Sequence, residues 1–394
     1  MITHGENDMN NEVIAHNLKR LRANARYNQS DLAEKAGMSL SGYQKLERGK
    51  ATPRTDSLRS IAQALHVPIQ ELLTEVKPLK QIRFRSLKRL KTREQVISDV
   101  ATWLKDFSSL EELTGDSSFA ELEEFCTFFD NDSSRNIAAL AKFCRERFGL
   151  AEKEPVLDIC GLLGARGIKV RSIEVETDSF LGLSVSSNEE GGPAVIVNTW
   201  KRLPVETWIF SAAHELGHLL MHLNAYDVEQ TGEEEVQEFE ADQFASHFLM
   251  PEEAFKREWN EAAGLNFVDR VFKVKKVFKV SWRTVLYRFS ESIPSEQRGK
   301  LWMKFNIEYK NRYGKSLQKN SEPVGIDSDH YRLNHRYNTA SEPFKLDLFD
   351  FKEDRLPYLV RKAVEGGDIS LSRGAEILKL RNIEMRQLAS SWVG

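Results

Sequence analysis

The chain has 394 residues, 41% of them hydrophobic and 29% charged, with a formal net charge of −3. This length predicts two or three ordinary domains, and the apolar runs fall short of the about 18 to 20 residues that a membrane helix requires. No signal-peptide pattern is present, and Cys126, Cys144 and Cys160 lack CxxC spacing. These features exclude a membrane-spanning or disulfide-rich secreted class, so we expect a cytoplasmic protein without a membrane partner and with reduced, buried thiols.

Residues 13–75 have the apolar spacing of four or five short amphipathic helices around one small core. Gln29 begins a helix that ends at Gly37, and Ser39 caps the next helix, which runs to Gly49. Two short helices across a tight glycine turn form the helix-turn-helix geometry, whose second helix enters the major groove. The sequence predicts an all-α DNA-binding domain, although a module for dimerisation or protein contact would share this pattern.

These residues resemble the repressor-type helix-turn-helix of the XRE family. The matching features are Gln29, Leu32-Ala33, Gly37, Leu46-Glu47-Arg48-Gly49 and Pro53. The resemblance implies a double-stranded DNA operator as partner, and we expect a homodimer. By position it directs five residues toward base edges, which are Ser39, Leu40, Ser41, Gln44 and Lys45. It directs three residues toward phosphates, which position the protein without specifying sequence, namely Gln29, Arg48 and Arg54.

Residues 76–134 are predicted to form a basic linker and a helical connector. Eight lysines and arginines lie between Lys77 and Arg93. They could add phosphate contacts, which would steepen the salt dependence of DNA binding by about 0.9 per neutralised phosphate. A solvated linker helix is the alternative. From Glu94 onward the apolar spacing is helical, and we expect this part to pack on the following domain.

Residues 135–290 mix strand and helix patterns, which predicts an α+β domain. Gly167 to Val175, Phe180 to Ser187 and Ala194 to Asn198 are rich in β-branched and aliphatic residues and are separated by turn-like segments. An edge strand of such a sheet can bind an extended substrate through main-chain hydrogen bonds. A sheet that only supports the next helix is the alternative.

The run His214-Glu215-Leu216-Gly217-His218 places two imidazoles and a carboxylate on one face of a helix whose opposite face is apolar. Two histidines four residues apart can bind Zn²⁺ at about 2.0 to 2.1 Å, and the glutamate between them is directed at the water of the metal. Glu215 is therefore the candidate catalytic base. Because the pentamer alone is weak evidence, a third ligand is required.

The helical segment beginning near Glu238 supplies that ligand. Glu238 would close a three-ligand site, and Asp242, one turn later, would accept the free N–H of a liganding imidazole. Glu240 is the alternative ligand. The interpretation without a metal is that Glu238 and Asp242 belong to a solvated acidic face of the helix. His222 is interpreted as a rim residue, because the His-x-x-Gly-x-x-His extension of metzincins is absent. The helix is expected to stop at Met250-Pro251.

Together these motifs resemble the ImmA/IrrE family of metallopeptidases. The residues that carry the resemblance are Asp178-x-x-Leu-Gly-Leu-Ser, Ala213 to His222, Glu238-x-x-Ala-Asp-x-Phe-Ala and Leu249-Met250-Pro251. The resemblance implies a zincin-like domain of the gluzincin type, with His214, His218 and Glu238 on Zn²⁺ and Glu215 as the base. It also implies an endopeptidase that cleaves a repressor or related regulator after a stress or mobile-element signal.

Residues 291–394 are predicted to be a helical C-terminal region. A loose loop from Ser321 to Lys352 precedes two helices between Leu356 and Trp392. Without a dense basic face, this region favours a protein-contact or sensing role over DNA binding.

The sequence thus predicts a multidomain, mainly α protein with a small β-sheet. The leading function is a DNA-binding regulator that proteolyses a partner or itself. A repressor or antitoxin with a structural or sensory zinc domain is the rival, and a zinc hydrolase of small or nucleic-acid substrates is a third interpretation. The oxyanion-stabilising role is left open among His247, Tyr226 and Tyr287.

Overall fold

The computed structural model describes residues 4–25, 27–73, 79–86, 93–117, 121–132, 134–227, 234–317, 321–322 and 346–392. The chain divides into two compact units. The first contains Met1–Leu79 and Lys91–Asp106, and the second contains Lys80–Leu90 and Phe107–Gly394.

The first unit is a small helical domain whose core includes the fully buried side chains of Leu18, Leu32, Tyr43 and Ile61. Such short helices are marginal in isolation, and burial of their apolar faces stabilises them. The helices are α1 (His4–Asn24), α2 (Gln29–Lys35), α3 (Leu40–Glu47), α4 (Thr55–Leu65) and α5 (Gln70–Leu73). A sixth helix, α6 (Arg93–Thr114), begins in the first unit and ends in the second.

Side-chain caps fix the turn between α2 and α3. At the start of α2, Asn28 and Asp31 form a reciprocal capping box. Ser39 caps α3 by accepting a hydrogen bond from the backbone N–H of Gly42 at 3.1 Å. Gly37, with φ of +66°, permits the left-handed turn between the two helices.

The second unit combines helices with one β-sheet. Its strands are β1 (Ile82–Ser86), β2 (Lys169–Ile173), β3 (Phe180–Val185) and β4 (Ala194–Asn198). Its helices before and around the sheet are α7 (Glu123–Asn131), α8 (Ile137–Arg147), α9 (Ile159–Gly164), α10 (Val205–Met221) and α11 (Glu235–Leu249). The later helices are α12 (Glu252–Glu261), α13 (Phe267–Phe278), α14 (Trp282–Ser290), α15 (Ser295–Tyr313), α16 (Arg355–Gly366), α17 (Leu371–Ile377) and α18 (Asn382–Ser390).

The sheet has the strand order β1-β3-β4-β2. Strand β3 is antiparallel to both β1 and β4, whereas β2 and β4 are parallel. Strands β2, β3 and β4 lie within the three predicted strand segments, so that prediction is confirmed. Strand β1 was not predicted, and it makes the sheet one strand wider on the β3 side.

The interpretation of the basic run as a solvated linker helix is wrong for Ile82–Ser86, which is strand β1. Ile82 and Arg83 are buried, and the Arg83 guanidinium contacts an acid of the second unit, so it is not available to phosphates. Long-range pairing with β3 overrides the local charge pattern here, as strand formation depends strongly on context. Lys77, Lys88 and the other basic residues at 87–91 lie outside the described residues.

Helix α10 is the central element of the second unit. Nearly every residue from Val205 to Met221 is buried, and the helix packs against β3 and β4 on one side and α11 on another. A helix that is buried on all sides carries its polar residues inside the protein. The histidines and the glutamate of α10 are therefore held in the interior of the unit.

The C-terminal region has three helices rather than the predicted two: α17 and α18 match the predicted pair, and α16 precedes them. Ser370 caps α17 by accepting a hydrogen bond from the Arg373 N–H. Most of the predicted loop before them, residues 323–345, lies outside the described residues. The predicted fold class, mainly helical with a small sheet, is confirmed.

All three cysteines are free thiols. Cys144 and Cys160 are buried, whereas Cys126 is half-buried, and burial raises the pKa of the Cys126 thiol to about 11. These thiols are therefore unreactive near neutral pH. In the described part of the chain, none of the helices combines the length and apolar character that crossing a membrane requires.

Candidate metal centre and nucleic-acid interface

The side chains of His214, His218 and Glu238 converge at one point between α10 and α11. The Nε2 atoms of the two histidines are 2.9 Å apart. His214 Nε2 lies 3.2 Å from Glu238 Oε2, and His218 Nε2 lies 3.2 Å from Glu238 Oε1. One helix turn separates the two histidines, and the acid comes from the neighbouring helix.

This donor set fits a zinc ion. Ligands held about 2.0 to 2.1 Å from a tetrahedral zinc lie about 3.4 Å from one another. The two histidine nitrogens are 2.9 Å apart, and each lies 3.2 Å from the nearer of the two Glu238 oxygens, so the donor atoms are spaced close to that edge length. Two imidazoles and one carboxylate also match the ligands of zinc sites that keep a fourth position for water.

Protonation states suit a cation at this point. Burial lowers the pKa of His218, which keeps its imidazole neutral. Burial raises the pKa of Glu238, but hydrogen bonds with His214 and His218 outweigh burial and lower it well below its usual range. The group therefore offers a neutral imidazole and a charged carboxylate.

Close packing of α10 and α11 brings Glu238 to the histidines. A Cβ added at Gly217 would lie 3.1 Å from the Phe244 ring, so the ring or the helices would have to shift to accept a side chain there. The glycine inside the histidine motif thus permits the close approach of the two helices.

The Nδ1 atoms of His214 and His218, which point away from the three-residue group, both have hydrogen-bond partners. Asp242 Oδ1 lies 2.8 Å from His214 Nδ1, in the position predicted for it. His218 Nδ1 lies 2.9 Å from His222 Nδ1, and His222 Nε2 lies 2.8 Å from Glu240 Oε2. Outer contacts of this kind orient the rings of metal-binding histidines.

The interpretation of His222 as a rim residue is wrong. Its side chain is buried, because the chain turns at the end of α10 and directs the imidazole beneath His218. Glu240, the alternative ligand, contacts His222 and Arg135, so it does not belong to the group formed by His214, His218 and Glu238.

Glu215 lies beside the three-residue group and is held by the sheet. Its Oε2 accepts a hydrogen bond from Ser184 Oγ at 2.7 Å, and Tyr226 donates to the same hydroxyl at 2.9 Å. A Cβ at Gly182 would lie 3.2 Å from Glu215 Oε1 and 2.8 Å from Ile196 O. Alternate residues of β3 thus leave room for the carboxylate and hydrogen-bond it.

Arg83 is a site residue that sequence reasoning missed. From β1, its Nη2 donates to Glu238 Oε1 at 3.0 Å, and its Nη1 donates to Gln237 Oε1. The register pairs Arg83 with Ser184 across the β1–β3 ladder. The available signal was the alternation of Ile82, Arg83 and Phe84 within the basic run, which is a weak strand pattern.

The three candidates for the oxyanion role lie in different surroundings. Tyr226 is buried and reaches Glu215 through Ser184. The Tyr287 hydroxyl accepts a hydrogen bond from Gln243 Nε2, on the helix that carries Glu238. His247 lines a cavity together with Asn136 and Glu252, away from the ligand group.

In the first unit, α3 carries four of the five residues predicted to face base edges. Leu40, Ser41 and Lys45 are exposed, whereas Gln44 is half-buried and donates to Gln29 Oε1 at 3.1 Å. The Ser39 hydroxyl caps the helix. Arg48 and Arg54, the predicted phosphate contacts, are exposed at the ends of α3 and α4. A salt bridge of 2.6 Å from Arg22 to the buried Glu47 fixes α3 against α1.

Comparison with family models matches two parts of the chain. The helix-turn-helix family matches residues 18–72. The family described as the IrrE N-terminal-like domain, a peptidase family, matches residues 164–290, which contain β2 to β4, α10 and α11. The comparison with curated proteins gave no match. From the N-terminus to the C-terminus, the chain therefore carries an XRE-type helix-turn-helix domain and an IrrE/ImmA-like domain of the M78 peptidase family.

Proposed function

We propose that this protein is a DNA-binding transcriptional regulator whose second unit is a zinc-dependent endopeptidase. The observation that carries the proposal is the convergence of His214, His218 and Glu238, with Glu215 held beside them and outside the ligand group. A site with three protein ligands and a neighbouring carboxylate is arranged for hydrolysis, because a structural zinc site usually has four protein ligands.

His214, His218 and Glu238 would hold the ion. Zinc bound there would supply a water molecule of lowered pKa and a Lewis acid for the substrate carbonyl. The Glu215 carboxylate would take the proton from that water and pass it to the leaving amine. Ser184, which donates to Glu215 Oε2, would hold the base in position during both transfers.

The rival proposal, a zinc domain without turnover, requires a fourth protein ligand. Among the residues that the structure describes, the group has three members. Two histidines were candidates for a fourth ligand. His222 contacts the outer nitrogen of His218, and His247 lines a separate cavity. These observations favour the peptidase.

The helix-turn-helix domain would bind an operator in double-stranded DNA, which assigns the protein to the cytoplasm. Exposed Lys45 and Arg48 would contact the duplex from α3. A homodimer would match two operator half-sites. The peptidase would then act on a protein substrate, namely a repressor, a related regulator or the chain itself, after a stress or mobile-element signal.

The Glu215→Gln variant tests the peptidase. We expect it to retain zinc, measured by elemental analysis, and to retain binding to duplex selected from randomised DNA, but to lose cleavage. Cleavage is measured by mass spectrometry of protein fragments from cells with and without DNA damage. His214→Ala should lose zinc. The control Glu253→Gln, an exposed acid on α12, should behave as the parent chain. Cleavage that persists in Glu215→Gln would refute the proposal.

A further inference from the structure

Strand β1 lies at the edge of the described sheet, beside strand β3, whose Ser184 holds the candidate catalytic base. Among the described strands it pairs with β3 alone, antiparallel, from Ile82 opposite Val185 to Ser86 opposite Phe180. The peptidase-family match covers residues 164–290 and therefore includes β3 but not β1. The chain that covers this edge comes from the segment between the two matched domains.

The side chain of Arg83 extends from β1 into the metal centre. It is buried, with a relative exposure of 8%, and its guanidinium contacts Glu238 and Gln237. Its cross-strand partner is Ser184, which holds Glu215. One residue of β1 thus contacts a candidate zinc ligand and is paired with the residue that holds the candidate base.

A sheet edge without β1 would be a template for another extended chain, because its backbone N–H and C=O groups need partners. The residue of a bound chain that lies opposite Ser184 would have its side chain next to the Glu238 carboxylate and the Gln237 amide oxygen, as Arg83 has. Both groups accept hydrogen bonds, and a guanidinium offers donors in a planar fork. The chemistry of this subsite favours a basic residue.

We propose that the β3 edge is the substrate subsite for an extended peptide with an arginine or lysine opposite Ser184, and that β1 is its resident occupant. This inference rests on the proposed peptidase, because it assigns the substrate class of the same site. A substrate would enter by replacing β1, so the segment between the two matched domains would regulate access.

The contacts that hold β1 are of a kind that an incoming strand can replace. Ser186 N donates to Gln81 O at 3.0 Å, and the Glu189 carboxylate accepts from the backbone N–H groups of Lys80 and Gln81 at 2.8 and 2.7 Å. The β1–β3 ladder is irregular between Arg85 and Ser86. A competing peptide would form the same ladder, so the Arg83 side chain is the part of β1 that distinguishes one occupant from another.

Peptide binding by the full-length protein tests this proposal. The protein carries Glu215→Gln, so that a bound peptide is not cleaved. The probe is a fluorescent peptide of residues 80–90, and its Kd is measured by anisotropy. Arg83→Ala in the protein removes the side chain that competes with the probe. We expect it to lower the Kd about tenfold or more, since a charge-assisted hydrogen bond is lost from the resident strand. Lys80→Ala removes an exposed charge beside β1 and should leave the Kd unchanged.

Matched peptides test the preference for a basic residue. A probe with Arg83→Gln should bind to the Arg83→Ala protein about tenfold more weakly than a probe with Lys80→Gln, although both have lost one positive charge. Equal Kd values for the two probes would overturn the assigned preference.

A disulfide lock tests occupancy should Arg83→Ala fail to fold. Ile82 and Val185 are directly opposite, and opposed Cα atoms of antiparallel strands are about 4.5 to 5.5 Å apart, within the range of a disulfide. The oxidised I82C/V185C protein should not bind the probe, and reduction should restore binding. Binding that is equal in both redox states would overturn the proposal.

The peptidase and the β1 proposal can fail separately. Absence of cleavage with intact probe binding would refute the peptidase alone. An Arg83→Ala protein with weakened zinc binding and an unchanged probe Kd would show that Arg83 only positions Glu238, and β1 would then be an ordinary structural strand.

Discussion

At the residue scale, the hydrogen bonds of His222 determine which nitrogen of His218 is available to a metal. Burial lowers the pKa of His222 to about 4, so its ring is neutral and carries one proton. If Glu240 accepts that proton's hydrogen bond at Nε2, His222 Nδ1 must accept from His218 Nδ1–H. With a metal bound, the Nε2 lone pair of His218 would then be directed at the ion, in place of the hydrogen bond that Nε2 makes with Glu238 without one.

His222→Ala should weaken zinc binding by about 10- to 100-fold, as expected for loss of a partner that orients a metal-binding histidine. The measurement is competition for zinc with a chelator of known affinity. His247→Ala is the matched control, because burial also lowers the pKa of His247 to about 4, but it lines a separate cavity. Equal zinc affinity in the two variants would contradict a role for His222.

The sequence identified the residues that converge at the site but missed two of the contacts that hold them. The i, i+4 spacing of His214 and His218 and the acid pair Glu238 and Asp242 follow from helix periodicity, which a single sequence displays. Ser184 ends the quoted motif Asp178-x-x-Leu-Gly-Leu-Ser, but its contact with Glu215 was not predicted. Arg83 lies on a strand that pairs with β3 across about a hundred residues of chain, and no local pattern records such pairing.

At the element scale, the distance between α10 and α11 controls whether a ligand group can form. Gly217 faces Phe244 at a separation that leaves no room for a methyl group without movement of the ring or of the helices. Helix propensity alone would disfavour glycine inside α10. Its presence there is explained by packing against Phe244, which helix periodicity does not predict.

Gly217→Ala should destabilise the second unit by about 1–3 kcal/mol, as overpacking in a core does, and should also weaken zinc binding. Urea unfolding of zinc-free protein measures the first effect. Gly299→Ala on α15 is the control, since a Cβ there meets nothing within 4 Å. It should instead stabilise the protein by roughly 0.5–1 kcal/mol, because alanine is the better helix former. A stabilised Gly217→Ala protein would contradict this account of helix spacing.

At the scale of the whole molecule, charge is distributed unevenly. Residues 1–93 contain eighteen lysines and arginines against nine acids, whereas the chain as a whole has a net charge of −3. This positive excess favours DNA contact by the N-terminal part. The rest of the chain has an excess of acids, and some of its charged side chains are buried. One of them is Lys275, whose Nζ lies 2.7 Å from a Glu206 oxygen and 3.1 Å from a Glu322 oxygen. The periodicity of apolar residues in the sequence does not predict that Glu206, Lys275 and Glu322 lie together.

The Glu206–Lys275–Glu322 triad should make stability depend on pH. Burial raises the pKa of Glu322 to about 7, and one lysine must serve two carboxylates. A carboxyl group whose pKa is higher in the folded than in the unfolded state stabilises fully below its unfolded pKa. That contribution is lost as the pH rises through about 7. Folding stability should therefore fall between pH 5 and pH 8.

Glu322→Gln should remove this pH dependence, because glutamine keeps the shape and an acceptor oxygen but never ionises. Thermal unfolding should give the variant the same Tm as the parent at pH 5 and a higher Tm at pH 8, where its free energy of unfolding should exceed that of the parent by on the order of 1–3 kcal/mol. Glu296→Gln, an exposed acid on α15, is the control for loss of one negative charge and should show no such pH-dependent difference. If Glu322→Gln changed the Tm equally at both pH values, the ionisation of Glu322 would not be the cause. Its effect would then come from packing around Lys275 and Glu206, which both lie in the interior of the unit.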